Sequence, residues 1–130
     1  METLFAKQDR LLLLTSTGII RTLMYQINWD AQLIAIKGPR GVGKTTLMLQ
    51  YMKQHYEIYS REVLYCTLDS VYFSNHTLLE LVDVFVKNGG KHLFLDEVHK
   101  YPTWSKEIRY IESMGNILWE LAVKVKRMTR

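Results

Sequence analysis

Apolar positions recur along the chain in two rhythms. Residues 1–14 fit a helix or partly helical lead-in, and Ser16 or Thr17 is placed to cap a second helix. Ile19, Ile20, Leu23, Met24 and Ile27 then fall at helical spacing and make one apolar stripe. Asn28-Trp29-Asp30 marks a turn. Gln32–Lys37 is a continuous β-type run, as a strand buried on both faces reads. Leu47, Met48, Tyr51 and Met52 return to helical spacing, predicting a helix from about Lys44 to about His55. A second strand follows at Glu62–Thr67, then a loop over Leu68–Ser74 with Asp69 at its start. Thr77 and Glu80 have capping-box spacing before Leu78, Leu81, Val82 and Phe85, and Asn88-Gly89-Gly90 stops that helix. His92–Leu95 is the third strand. Pro102 and Thr103 open a helix with Trp104, Ile108 and Ile111 on one face, and Gly115-Asn116 breaks it. Ile117–Lys126 reads as a last helix through Ile117, Leu118, Leu121, Ala122 and Val125; the alternative is a short strand at Leu121–Val125.

Strands alternating with helices predict an α/β fold with right-handed crossovers and a parallel sheet covered on both faces. With 130 residues the chain suffices for one modest domain. We divide it into a helical lead-in (1–27), a core (28–113) and a divergent tail (114–130). The single cysteine, Cys66, excludes an internal disulfide and a thiolate metal cluster, so a reducing cytoplasm is the default compartment. Leu11–Leu14 is interrupted by Thr15-Ser16-Thr17 and reads as structure, not as a targeting segment; no run reaches membrane-spanning length. Net charge is +4, but only the tail Lys124–Arg130 clusters it. That cluster reads first as a solvated terminus and second as a nucleic-acid contact.

One stretch changes the picture. Gly38-Pro39-Arg40-Gly41-Val42-Gly43-Lys44-Thr45-Thr46 has Walker A spacing, and it lies between an apolar run and a helical pattern as that motif requires. Glycines let backbone N–H groups converge into an anion-binding concavity, and the following helix points its positive end at the same anion. Gly38, Arg40, Gly41, Val42, Gly43, Lys44, Thr45 and Thr46 are therefore the candidate nucleotide-binding residues. Lys44 suits the β- and γ-phosphates, and Thr45 suits Mg²⁺. Arg40 is a solvent-facing variable position or a contact to a γ-phosphate or a neighbouring subunit.

Leu93-Phe94-Leu95-Asp96-Glu97 supplies the complementary Walker B pattern, an apolar strand ending in two carboxylates. A parallel strand delivers its C-terminal end to the sheet edge where ligands of open α/β folds bind. Asp96 is thus a candidate metal residue with Thr45. Glu97 is the candidate catalytic group that polarises the attacking water, with Lys44 offsetting charge.

Together, Asn28–Asp30, Ile34–Gly38, Gly41–Leu47 and Leu93–Trp104 resemble the prokaryotic AAA-type ATPases, P-loop NTPases similar to the AAA+ and STAND groups. The subgroup is the one whose ATPase domain precedes a C-terminal domain of uncertain role, and the likeness covers roughly residues 1–112. It implies a three-layer P-loop fold, ATP and Mg²⁺ as ligands, hydrolysis of ATP, and a protein partner or self-association. It also implies a further strand between the phosphate-loop strand and the Walker B strand. Relatives continue with a strand carrying a polar sensor residue and then an arginine that reaches the γ-phosphate. From Met114 onward no such strand is readable, and Arg127 and Arg130 match nothing in that pattern. The expectation is a sheet incomplete at its C-terminal end, in a truncated or divergent product. Ile117–Val125 is the one segment available to fill the gap.

Two other functions compete with an ATPase. A nucleotide-binding interaction module would bind ATP without hydrolysing it. Asp96-Glu97-Val98-His99 also spells a DExH box, as in helicases, although the interval from Walker A is short and the later arginine motif is absent. Asp69 is expected to stabilise a turn or to reach Glu97 through a polar network. His76, His92 and His99 lack metal-ligand spacing, which argues against zinc. Trp29 and Trp104 read as packing anchors rather than base-stacking platforms, and the resemblance implies part of an adenine pocket at Asn28–Ala31.

Overall fold

The computed structural model describes residues 1–18, 33–37, 43–113 and 123–127. Helix α1 spans Glu2–Leu14, β1 Leu33–Lys37, α2 Lys44–His55, β2 Val63–Thr67, α3 Leu78–Lys87, β3 His92–Asp96, α4 Trp104–Ser113 and β4 Val123–Arg127. Short 3₁₀ turns follow β2 at Val71–Ser74 and β3 at Val98–Lys100. The strands form one parallel sheet in the order β2-β3-β1-β4.

Alternation along the strands sends neighbouring residues to opposite faces. Ile34, Val63, Tyr65 and Phe94 pack with Leu47, Met48 and Met52 of α2. Ala35, Leu64, Cys66, Leu93 and Leu95 pack with Leu81, Val82 and Phe85 of α3 and with Ile108 and Ile111 of α4. The result is three layers, helix–sheet–helix, with a core on each side of the sheet. Trp104 packs partly buried against the α3–α4 core, as expected of an anchor.

Helix α1 runs along the β2 edge and contributes to both cores: Leu4 and Phe5 to one, Leu12 to the other. Between them, Gln8 is buried and occupies the open backbone edge of β2. Its Nε2 donates to the Val63 carbonyl at 3.1 Å, and its Oε1 accepts from the Tyr65 N–H at 2.6 Å. An edge strand leaves unpaired backbone groups, and a buried one costs about as much as a lost hydrogen bond. The two Gln8 bonds remove that cost. Arg61 strengthens the same seam, bonding both carboxylate oxygens of Asp9 at 3.3 Å while its guanidinium sits 4.6 Å above the Phe5 ring.

Helix α3 has the capping box its sequence predicts: the Thr77 hydroxyl accepts from Glu80 N–H, and the Glu80 carboxylate accepts from Thr77 N–H. Its end is a Schellman turn, with Gly90 N–H bonded to the Phe85 carbonyl and Gly89 N–H to the Val86 carbonyl. Gly89 supplies the left-handed residue, at φ 89°. At Gly90 a Cβ would lie 2.4 Å from the Phe85 ring, so only glycine fits beneath that side chain.

Two expectations are corrected. No strand separates β1 from β3: Leu33, Ile34 and Ala35 pair directly with Leu93, Phe94 and Leu95. Without an intervening strand, direct pairing satisfies the facing backbone groups of both. The segment expected to be a helix to Lys126 contains β4 instead, and β4 lies on the other side of β1, where it does not fill a gap. Val123-Lys124-Val125-Lys126 alternates with period two and is β-branched at every second residue, which favours a strand at the free edge of β1. A strand therefore does follow Met114. Its last residue is Arg127, not a Ser, Thr or Asn. The predicted helix through Ile19–Ile27, the turn at Asn28–Asp30, Trp29 and the Gly115-Asn116 break lie outside the described residues.

Candidate functional site

The C-terminal ends of the parallel strands bring the two motifs together. Gly43 takes the left-handed conformation (φ 85°) as the residue before α2, and Lys44 opens that helix. Only a residue tolerant of positive φ can turn the chain here from loop into helix. One residue on, Thr45 reaches the end of β3, where its hydroxyl donates to Asp96 Oδ2. Thr46 is exposed. Gly38, Arg40, Gly41 and Val42 lie outside the described residues.

Asp96 is the last residue of β3 and is 1% exposed. Alternation places it with Phe94 on the α2 face, while Leu93 and Leu95 face α3 and α4. A carboxylate taken out of water requires donors, and Asp96 has them. Oδ2 accepts from Thr45 and also from the Tyr65 hydroxyl at 2.7 Å, and Oδ1 accepts from Glu97 N–H at 2.9 Å. Burial first, and the Asp96 charge second, push the Tyr65 phenol up, so it remains a protonated donor at neutral pH.

Glu97 has different surroundings. It sits in the left-handed region at φ 53°, ψ 41°, a conformation that costs energy for a side chain of its size and that clusters at functional sites. Its side chain is 13% exposed, and Oε2 lies 3.3 Å from Nε2 of the exposed His99. Asp69 is exposed, and its backbone N–H donates to the Thr67 hydroxyl at 3.3 Å, so the side chain that caps this turn is that of Thr67. The other histidines lie apart: His76 stacks on Tyr72 at 4.2 Å, and His92 Nδ1 meets the Tyr56 hydroxyl.

Two of the hollows along this edge bear on the site. One of about 490 Å³ opens beside Thr45 and Thr46 and is lined by Leu11, Leu14, Leu49 and Gln50 among others. The α1 end that forms its wall is tied to α2, with Gln50 Nε2 donating to the Ser16 carbonyl and Lys53 Nζ to the Thr15 carbonyl. The larger, about 790 Å³, lies between the turn after β2 and Lys100–Thr103 and includes neither Thr45 nor Asp96. Location beside the converging polar groups, not size, singles out the smaller hollow.

The donor set of Thr45 hydroxyl and Asp96 carboxylate is hard oxygen chemistry of the kind that suits Mg²⁺. Sequence reasoning missed Tyr65. A tyrosine inside an apolar run reads as an ordinary strand residue, and only the register of β2 on β3 places it beside Asp96. Gln8 was also missed. Its signal was a polar residue on the same helical stripe as Leu4, Phe5 and Leu12.

A family model described as an AAA domain matches residues 30–120. A search of the curated proteins found no match. Among the described residues, no helix is long and apolar enough to cross a membrane.

Proposed function

Since the chain belongs to the AAA domain family, we propose that it binds ATP with Mg²⁺ and hydrolyses it, in the manner of ATPases whose nucleotide domain precedes a further C-terminal domain. The observation that carries the reading is the contact of Thr45 with Asp96, which joins the two motif halves at one sheet edge. Thr45 and Asp96 would hold Mg²⁺, and the ion when bound offsets phosphate charge. The N-terminus of α2, which follows Gly43, receives the phosphates. Lys44 neutralises the β- and γ-oxygens, and Glu97 orients the water whose oxygen bonds to the γ-phosphorus as the bond to the bridging oxygen breaks.

A second reading, binding without turnover, is favoured by the direct β1–β3 pairing and by the contact of Glu97 Oε2 with the His99 ring. One set of measurements separates the two. A fluorescent ATP analogue is titrated with and without Mg²⁺ against the parent and Lys44→Ala, and single-turnover hydrolysis is compared for the parent and Glu97→Gln. The proposal expects affinity to fall at least about tenfold in Lys44→Ala and hydrolysis to fall by about 10²-fold or more in Glu97→Gln. Unchanged affinity in Lys44→Ala rejects the phosphate site. Equal hydrolysis in the parent and Glu97→Gln rejects Glu97 as the catalytic group, and a parent that binds the analogue but hydrolyses no ATP leaves the second reading.

A further inference from the structure

Tyr65 stands two residues before the end of β2 on the face that carries Asp96. Thr67, not Tyr65, is the register partner of Asp96, and Tyr65 pairs with Phe94. The diagonal from Tyr65 to Asp96 spans roughly 7–8 Å between backbones, within reach of a long aromatic side chain and beyond that of Ser or Thr. The hydroxyl directly opposite, on Thr67, is turned to Asp69 N–H in the following loop. The phenol therefore does what the nearer hydroxyl does not, and donates to Oδ2 at 2.7 Å. The same oxygen receives Thr45. Tyr65 is itself fixed at both ends. It is 6% exposed in the α2 core, and its backbone N–H is held by Gln8 of α1 at 2.6 Å.

We propose that Tyr65 is a positioning residue of the nucleotide site, whose hydroxyl holds Asp96 in the orientation that meets Thr45 and so sets how readily the pair takes the Mg²⁺ of a bound nucleotide. This rests on the nucleotide reading above. A carboxylate with one oxygen shared between two hydroxyls cannot rotate without breaking both bonds, and groups that orient metal ligands tune affinity strongly. The Thr45 hydroxyl can donate to Asp96 while presenting a lone pair elsewhere. The Tyr65 bond keeps the acceptor in place while it does so. Through Gln8, the helix that covers the sheet edge is coupled to the same carboxylate.

The test reads Mg²⁺ binding and not turnover. A fluorescent ATP analogue is titrated at fixed concentration with Mg²⁺, and separately without it, for the parent, Tyr65→Phe and Tyr65→Leu, each with a thermal melt. Tyr65→Phe is expected to raise the half-saturating Mg²⁺ concentration by about tenfold, to leave Mg²⁺-free affinity within about twofold, and to recover most of the stability lost in Tyr65→Leu. An unchanged Mg²⁺ requirement in Tyr65→Phe overturns the proposal. So does a Phe variant that restores stability and Mg²⁺ requirement together, or one that does not fold, since either assigns the hydroxyl to packing alone. A parent whose analogue binding is indifferent to Mg²⁺ fails at an earlier point, overturning the Mg²⁺ part of the nucleotide reading and the role of Tyr65 with it.

Discussion

The two faces of the sheet are built from the same strands and differ in kind. On the α3–α4 face, Leu64, Cys66, Leu93 and Leu95 meet Leu81, Val82, Phe85 and Ile108, and these buried side chains are apolar. On the α2 face, Val63, Tyr65 and Phe94 meet Leu47, Met48 and Met52, but the layer ends in Thr45, Tyr65 and Asp96 bonded to one another. Period-two alternation makes the separation. Tyr65 lies between Leu64 and Cys66 in sequence and on the other side of the sheet from both. One face can therefore be tuned for a ligand while the other supplies stability, and substitutions on the two should divide between stability and Mg²⁺-dependent binding.

Phe85→Ala should show the largest effect and the cleanest division. The ring is fully buried and lies directly over Gly90. Truncating it removes transfer energy and leaves a cavity, for a loss of about 3–5 kcal/mol in urea unfolding. That is a large part of the roughly 5–15 kcal/mol typical of a domain, so binding is measured at low temperature on the folded fraction. Its Mg²⁺ requirement should match the parent. A shifted requirement would break the separation of the faces.

Gln8→Leu sharpens the comparison from the helix that serves both faces. The substitution leaves Tyr65 N–H and the Val63 carbonyl buried without their side-chain partner, at a cost of about 2–3 kcal/mol. Because the Tyr65 hydroxyl bond remains, the Mg²⁺ requirement should move less than in Tyr65→Phe. Urea midpoints beside the Mg²⁺ titration check both halves, and an equal shift would assign the positioning to the backbone of β2.

Local patterns made most of this legible. Capping-box spacing at Thr77 and Glu80, the paired glycines after Asn88 and the strand-to-helix context of Gly43-Lys44-Thr45 each require a particular backbone, and the elements follow. The carboxylate pair was readable as a candidate site at a strand end, and β3 does end in Asp96. What stayed hidden was pairwise. Nothing local to Leu33–Lys37 specifies which strand lies beside it, so the direct β1–β3 pairing required the fold. The same holds for Tyr65, whose role depends on register across two strands, and for Val123–Arg127, where helical and alternating patterns overlap and pairing along β1 decides.

Cys66 tests the apolar face by pH. The thiol is 2% exposed, and burial first, then the Asp96 charge, raises it from an ordinary 9.0 to about 12. A raised folded value means that the folded state holds the proton more tightly, so this contribution is complete below about pH 9 and is lost as pH rises towards 12. The parent should lose stability with pH across that window faster than Cys66→Ala, by at most about 1.4 kcal/mol per pH unit. Tyr56, raised to about 12, adds an alkaline contribution common to both proteins, which cancels in the difference. At pH 8 the same burial should make the thiol react with an aromatic disulfide reagent far more slowly in the folded protein than in urea. Parallel pH curves for the two proteins, or rapid labelling of the folded parent, would mean that water reaches the α3–α4 core.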